Sequence, residues 1–149
     1  MSTLDRAIEI ASYAHAGQVD KAGQPYIFHP IRVMNRVDAE YEKMAAVLHD
    51  VVEDTPITLA NLEREGFPDE VLQAIDALTK RAGETRFEAA MRAAANPIAR
   101  VVKLADNAEN MDLSRIANPT KKDYARVREY EQVRAILLGS HAAEFHHES

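Results

Sequence analysis

The sequence predicts an all-α protein, an irregular helical bundle, on three observations. Apolar residues recur at three- and four-residue spacing along most of the chain. Alternation of apolar and polar residues, the mark of a half-buried strand, is nowhere sustained. Proline and glycine fall between the periodic segments, where helices start and stop, and not inside them.

Taken in order, Leu4, Ile8, Ala11 and Ala14 share one face of a first helix, which Thr3 caps and Gly17 ends. Gln18 to Phe28 reads as a loop, and Pro30 suits the first position of a second helix, with His29 just before it. A third helix is expected from about Glu40 to Asp54, stopped by Pro56. Thr58 caps a short helix ending at Gly66, and Pro68 opens another whose apolar stripe is Val71, Leu72, Ile75 and Leu78. Lys80 to Glu84 is a polar loop. Two helices follow, Thr85 to Ala95 and Pro97 to about Ser114, separated because a residue before proline disfavours helical backbone. A last helix is expected over roughly Lys121 to Leu138. No repeat or low-complexity stretch interrupts the pattern.

Length and composition bound the function. With 149 residues, 46% hydrophobic and 28% charged, residues 1–140 are expected to form one domain and 141–149, carrying His141, His146 and His147, a flexible tail. The absence of cysteine excludes disulfides, thiolate zinc sites, iron–sulfur clusters and a cysteine nucleophile, so any metal must use nitrogen and oxygen ligands. No apolar run reaches the roughly 18 residues of a membrane span, and the first residues lack a leader's pattern. No membrane partner and a cytoplasmic location are therefore expected. The net charge of −6 argues against nucleic acid as a partner, while leaving room for a local cationic pocket for a small phosphate compound.

Three segments carry unusual residues for their surroundings. His49, Asp50, Glu53 and Asp54 lie in an otherwise apolar helix, with His49 stacked over Glu53 and Asp50 over Asp54. Carboxylates buried there need a partner, for which a cation serves; an acidic face turned to water is the alternative. Asp106 and Asn110 are again four apart in an apolar helix, with Lys103 one turn before Asp106. His29 is fixed between an apolar turn and a helix start. Taken singly, Asp106 and His29 each read more readily as structural, and Lys103 reads equally as a salt-bridge partner.

Together the segments resemble the HD-domain phosphohydrolases, and within them the RelA/SpoT-type (p)ppGpp hydrolases and small alarmone hydrolases. The shared motifs are His15-Ala16-Gly17-Gln18, then Gly23-Gln24-Pro25-Tyr26-Ile27-Phe28-His29-Pro30, then Leu48-His49-Asp50-Val51-Val52-Glu53-Asp54-Thr55, then Lys103-Leu104-Ala105-Asp106 through Asn110. The resemblance implies a bundle of the HD-domain type in which His29, His49, Asp50 and Asp106 bind one divalent ion. That ion is usually manganese in this branch, with iron, zinc and magnesium as alternatives. It implies that Glu53 and Asp54 activate and position the attacking water, and that Lys21, Lys103 and Asn110 help hold a small nucleotide substrate. The implied reaction removes the 3′-pyrophosphate of guanosine tetra- or pentaphosphate, the alarmones of the stringent response. Hydrolysis of another nucleotide phosphate, a nucleoside monophosphate or an adenine alarmone, is the first alternative, and a non-catalytic metal-binding regulatory module the second.

The chain also departs from that pattern. Asp20 stands where the alarmone hydrolases usually carry an arginine against the guanine base, and Met111-Asp112-Leu113-Ser114-Arg115 replaces methionine-arginine-threonine after the asparagine. The first change implies a weaker hold on guanine and the second a variant pocket. His15 is expected to be structural, and Arg81, Arg86, Arg92 and Arg100 to be solvated unless the fold gathers them.

Overall fold

A computed structural model describes the backbone of residues 2–148 and the side chains of residues 2–139. Among the described residues eight helices follow one another: α1 (Leu4–Ala14), α2 (Phe28–Asn35), α3 (Glu40–Asp54), α4 (Leu59–Arg64), α5 (Asp69–Leu78), α6 (Arg86–Ala94), α7 (Pro97–Met111) and α8 (Lys121–Glu148). No strand occurs among the described residues, only an isolated bridge between Val19 and Pro25. None of the described helices is long and apolar enough to cross a membrane.

The bundle is organised around α3. Its residues Met44 to Val51 are buried without interruption, because α1, α2, α5 and α7 pack around it. A helix covered on all sides cannot keep a solvated face along its middle. The acidic-surface alternative is thereby excluded for Asp50, whereas Glu53 and Asp54, in the helix's last turn, are exposed. Met44, Val47, Leu48 and Val51 join Leu62, Val71, Ile75 and Val102 in one core. Burying a side chain such as Leu48 contributes about 1.5–3 kcal/mol.

Several boundaries differ from expectation. α2 begins at Phe28, so Pro30 is its third residue and His29 lies inside the first turn. The missing N–H still costs nothing, since the first four helical N–H groups have no intrahelical acceptor. α7 stops at Met111, before Ser114, where the Asp112 carboxylate accepts the Ser114 N–H at 2.9 Å and starts a turn. The backbone of α8 continues past Leu138 to Glu148. The flexible tail expected over 141–149 and its histidines fall on residues whose side chains lie outside the described ones.

Local signals explain the remaining ends. Thr3, Thr58, Thr85 and Asn96 cap α1, α4, α6 and α7 with their side-chain oxygens, and Thr58 and Thr85 complete capping boxes with Asn61 and Glu88.

Candidate metal centre and nucleotide cavity

Three helices converge on one point. The first turn of α2 supplies His29, α3 supplies His49 and Asp50, and α7 supplies Asp106, all four buried. The His29 Nε2 lies 2.7 Å from Asp106 Oδ1. His49 Nε2 lies 3.2 Å from Asp50 Oδ1 and 3.7 Å from Asp106 Oδ1. Ligand atoms of His29, His49 and Asp106 all fall within 4.8 Å of one another, and those of Asp50, Glu53 and Asp54 form a second such group.

The tautomer of His49 follows from its backbone. His49 Nδ1 sits 2.6 Å from the Ala46 carbonyl oxygen, so Nδ1 carries a proton and donates it there. Nε2 is then turned toward the carboxylates, yet it is buried without a hydrogen-bond partner. Between two carboxylates this nitrogen either takes up a proton that finds no well-aligned acceptor or offers its lone pair to a cation, which satisfies all three groups.

Electrostatics tell the same story. Burial works against a charged His49, but the charges of Asp50 and Asp106 outweigh it and push the imidazole up to about 10. Burial also opposes ionisation of Asp106, and the His29 and His49 rings with Lys103 overcome it, holding the carboxyl well below its usual range. Asp54 moves the other way: partial withdrawal from water, then the charges of Asp50 and Glu53, raise its carboxyl. Three acids at the negative end of α3, with no basic residue in that last turn, need a positive charge from elsewhere.

Residues outside these groups orient them. The Tyr26 hydroxyl donates to Asp50 Oδ2 at 2.6 Å, and burial followed by the Asp50 charge raises the phenol far above its ordinary value. The His15 ring packs 5.0 Å from that of Tyr26, its Nδ1 meets Gln18 Oε1 at 2.8 Å, and its Nε2 is buried without a hydrogen-bond partner. Glu53 Oε1 accepts the Lys80 N–H at 2.8 Å. Asn110 Nδ2 reaches Asp106 Oδ1 at 3.5 Å, and Lys103 Nζ lies 3.6 Å from Asp106 Oδ2.

A cavity of about 550 Å³ opens onto this centre, and all nine site residues expected from sequence line it. Lys21 stands at its edge, largely exposed, 3.6 Å from Asp123 Oδ1 on α8. The structure adds Tyr26, Arg32, Arg86, Glu109, Arg115 and Tyr130 to the lining. Of these, Arg32 and Glu109 carried a legible signal: each lies three residues beyond a proposed ligand on the same helix, His29 or Asp106.

Asp20 proves to be a loop residue with two tasks. Its Oδ1 accepts from Ala22 N at 2.9 Å and Gln24 N at 3.0 Å, closing a turn that Gly23 completes at φ +81°. Its Oδ2 meets Arg115 Nη1 at 3.0 Å. Burial opposes ionisation, but these contacts hold the carboxyl below its ordinary value. The two departures in the sequence are therefore partners, and a guanidinium does stand at the first loop, supplied by the segment after α7. The other arginines divide: Arg86 lines the cavity 5.0 Å over the Tyr130 ring, Arg92 grips Glu84 at 2.7 and 3.0 Å, Arg81 pairs with the exposed Asp76, and Arg100 donates to the Leu137 carbonyl.

Known proteins resemble this chain in the same respects. A "Probable GTP pyrophosphokinase" of Mycobacterium leprae is 38% identical over 92% of the chain and 19% of its own length. A "Bifunctional (p)ppGpp synthase/hydrolase SpoT" of Escherichia coli is 33% identical over 80% of the chain and 19% of its own length. A "Guanosine-3′,5′-bis(diphosphate) 3′-pyrophosphohydrolase" of Haemophilus influenzae is 38% identical over 76% and 19%. The chain thus spans less than a fifth of each of these relatives. A solved structure, reported as "A metazoan ortholog of SpoT hydrolyzes ppGpp and plays a role in starvation responses", superposes with a TM-score of 0.74 at 24% identity. It covers 93% of this chain and 86% of its own, a likeness of fold. The sequence profile of the HD domain matches residues 7–101, a stretch that includes His29 and the adjacent His49 and Asp50, and the chain belongs to the HD domain family.

Proposed function

We propose that residues 1–140 act as a single metal-dependent phosphohydrolase domain that removes the 3′-pyrophosphate of guanosine tetra- or pentaphosphate. The observation that carries this reading is His49 Nε2, buried without a hydrogen-bond partner between Asp50 and Asp106, in a residue that lines a cavity large enough for a nucleotide. Relatives named for guanosine-3′,5′-bis(diphosphate) 3′-pyrophosphohydrolase activity support the substrate.

His29, His49, Asp50 and Asp106 would hold one divalent ion, two imidazoles and two carboxylates suiting manganese, with iron, zinc or magnesium as alternatives. When bound, such an ion supplies Lewis acidity, stabilising charge on a phosphoryl oxygen and lowering the pKa of water. Tyr26 fixes the rotamer of Asp50 through its hydroxyl. Glu53, oriented by Lys80 N–H, positions the attacking water, and Asp54, whose carboxyl is raised, accepts its proton. The water oxygen bonds to the phosphorus attached to O3′, the bond from that phosphorus to O3′ breaks, and O3′ leaves as a hydroxyl, taking the proton that Asp54 received from the water. Lys21, Lys103 and Asn110 hold the nucleotide from the cavity wall. Neither nucleic acid nor a membrane is needed as a partner, and a cytoplasmic location fits the substrate.

The test is incubation of the manganese-loaded protein with guanosine tetraphosphate, separating pyrophosphate from orthophosphate. Stoichiometric pyrophosphate and guanosine diphosphate are expected; orthophosphate alone, or no product, refutes the reading. One observation favours a second substrate reading, since Arg115 is tied to Asp20 and not free to face a base. Faster turnover of an adenine alarmone or a nucleoside monophosphate in the same assay would select it.

A further inference from the structure

We propose that Arg32 forms an oxyanion subsite for the phosphate group being cleaved, one helical turn from the metal centre. The subsite rests on the phosphohydrolase reading above. On α2, Arg32 follows His29 by three residues; on α7, Glu109 follows Asp106 by three. The two helices therefore form successive rungs, His29 to Asp106 at 2.7 Å and Arg32 Nε to Glu109 Oε2 at 3.3 Å, roughly 5 Å apart along the axes.

Glu109 does not depend on Arg32 for a partner. It is buried and has a closer one, Arg36 Nε, 2.8 Å from Oε1, and Arg36 also acts on the Asp112 carboxylate. If Arg32 served only to neutralise Glu109, its remaining donors would be expected to be paired or solvated. Instead Arg32 Nη2 is buried with no hydrogen-bond partner, and Arg32 lines the cavity with His29, Lys103, Asp106 and Asn110. The Arg32 side chain is 27% exposed on the cavity wall; a guanidinium with an unsatisfied N–H gains from an anion beside it, and the planar fork matches phosphate oxygens better than an ammonium does. A phosphate group held at the centre formed by His29 and Asp106 has Arg32 as a neighbour in the same cavity. The ligand class is thus a phosphate or pyrophosphate oxyanion.

The probe is inorganic pyrophosphate, titrated calorimetrically as its manganese salt into the manganese-loaded protein, with guanosine diphosphate in a parallel arm. Arg32→Met is expected to weaken pyrophosphate about tenfold or more, as loss of a charge-assisted hydrogen bond does. Manganese content and guanosine diphosphate affinity should not change, and Arg32→Lys should recover part of the loss. Arg32→Met/Glu109→Gln removes the guanidinium without leaving a half-paired carboxylate, and it is read in the same way should the single variant fail to fold. Pyrophosphate affinity equal to wild type in the folded variant overturns the subsite; so does a loss confined to guanosine diphosphate, which would put Arg32 at the other phosphates. Intact hydrolysis with Arg32-independent binding refutes the subsite alone. Arg32-dependent binding by a protein that does not hydrolyse guanosine tetraphosphate refutes the functional reading and keeps the subsite.

Discussion

His49 and Asp106 sit in the same few ångströms as two other ligand candidates, so removing either leaves the rest poorly compensated. His49→Ala and Asp106→Ala are each expected to lose bound metal and activity together; elemental analysis of the purified variants checks this, and full metal content in both would refute the ligand assignment. Glu53 is different, being exposed and tied to a backbone N–H that a glutamine oxygen can also accept from. Glu53→Gln should therefore keep the metal and the fold while lowering kcat by roughly two orders of magnitude, the scale of misplacing the attacking water. Steady-state kinetics beside a metal assay separates the two roles.

At the scale of the element, the first loop and the loop before α6 are held by ions in unlike ways. Asp20 closes its own turn and pairs with Arg115, so Asp20→Arg would open the turn and set two guanidiniums side by side. The sequence alone suggests that this change should tighten guanine binding; the structure reverses the sign. A lower melting temperature and a higher KM for guanosine tetraphosphate are expected, and a lower KM would show the loop contacts to be dispensable. The second loop hangs on Glu84, held down to about 2 by the Arg92 guanidinium and the Arg81 N–H, while Arg92 also binds the carbonyls of Ala77 and Thr79 that end α5. A depressed folded pKa adds stability above the ordinary carboxyl value and loses it as pH falls toward about 2. Glu84→Gln should flatten the acid side of a plot of melting temperature against pH below about 4.5, leaving the neutral region lower but level.

Across the whole molecule, the metal centre and the core are one object, since His49 and Asp50 directly follow Val47 and Leu48 in the helix that α1, α2, α5 and α7 pack against. Leu48→Ala is expected to cost about 2–5 kcal/mol, the range for emptying a leucine site in a core. It should weaken metal binding as well, because α2 and α7 meet across α3; urea unfolding with and without manganese measures both. Metal binding that is unaffected in a strongly destabilised variant would mean that the ligand cage holds its shape independently of the core.

Much of this was legible in the amino-acid order, and the reason is local. Spacing along a helix decides which residues share a face, and capping threonines, Asn96 and the prolines decide where helices start, so all eight helices could be read directly, whereas the four ligand candidates and the acids beyond them came from the resemblance of the assembled motifs, His29 and Asp106 singly reading as structural. What stands opposite a face is not local. The burial of Asp50, the pairing of Asp20 with Arg115 across 95 residues and of Arg32 with Glu109 across 77 depend on how α2, α3, α7 and the loops pack. The sequence by itself determined which side chains are available for chemistry; the tertiary structure alone decided which of their polar atoms are already satisfied and which, like His49 Nε2 and Arg32 Nη2, are buried without a hydrogen-bond partner.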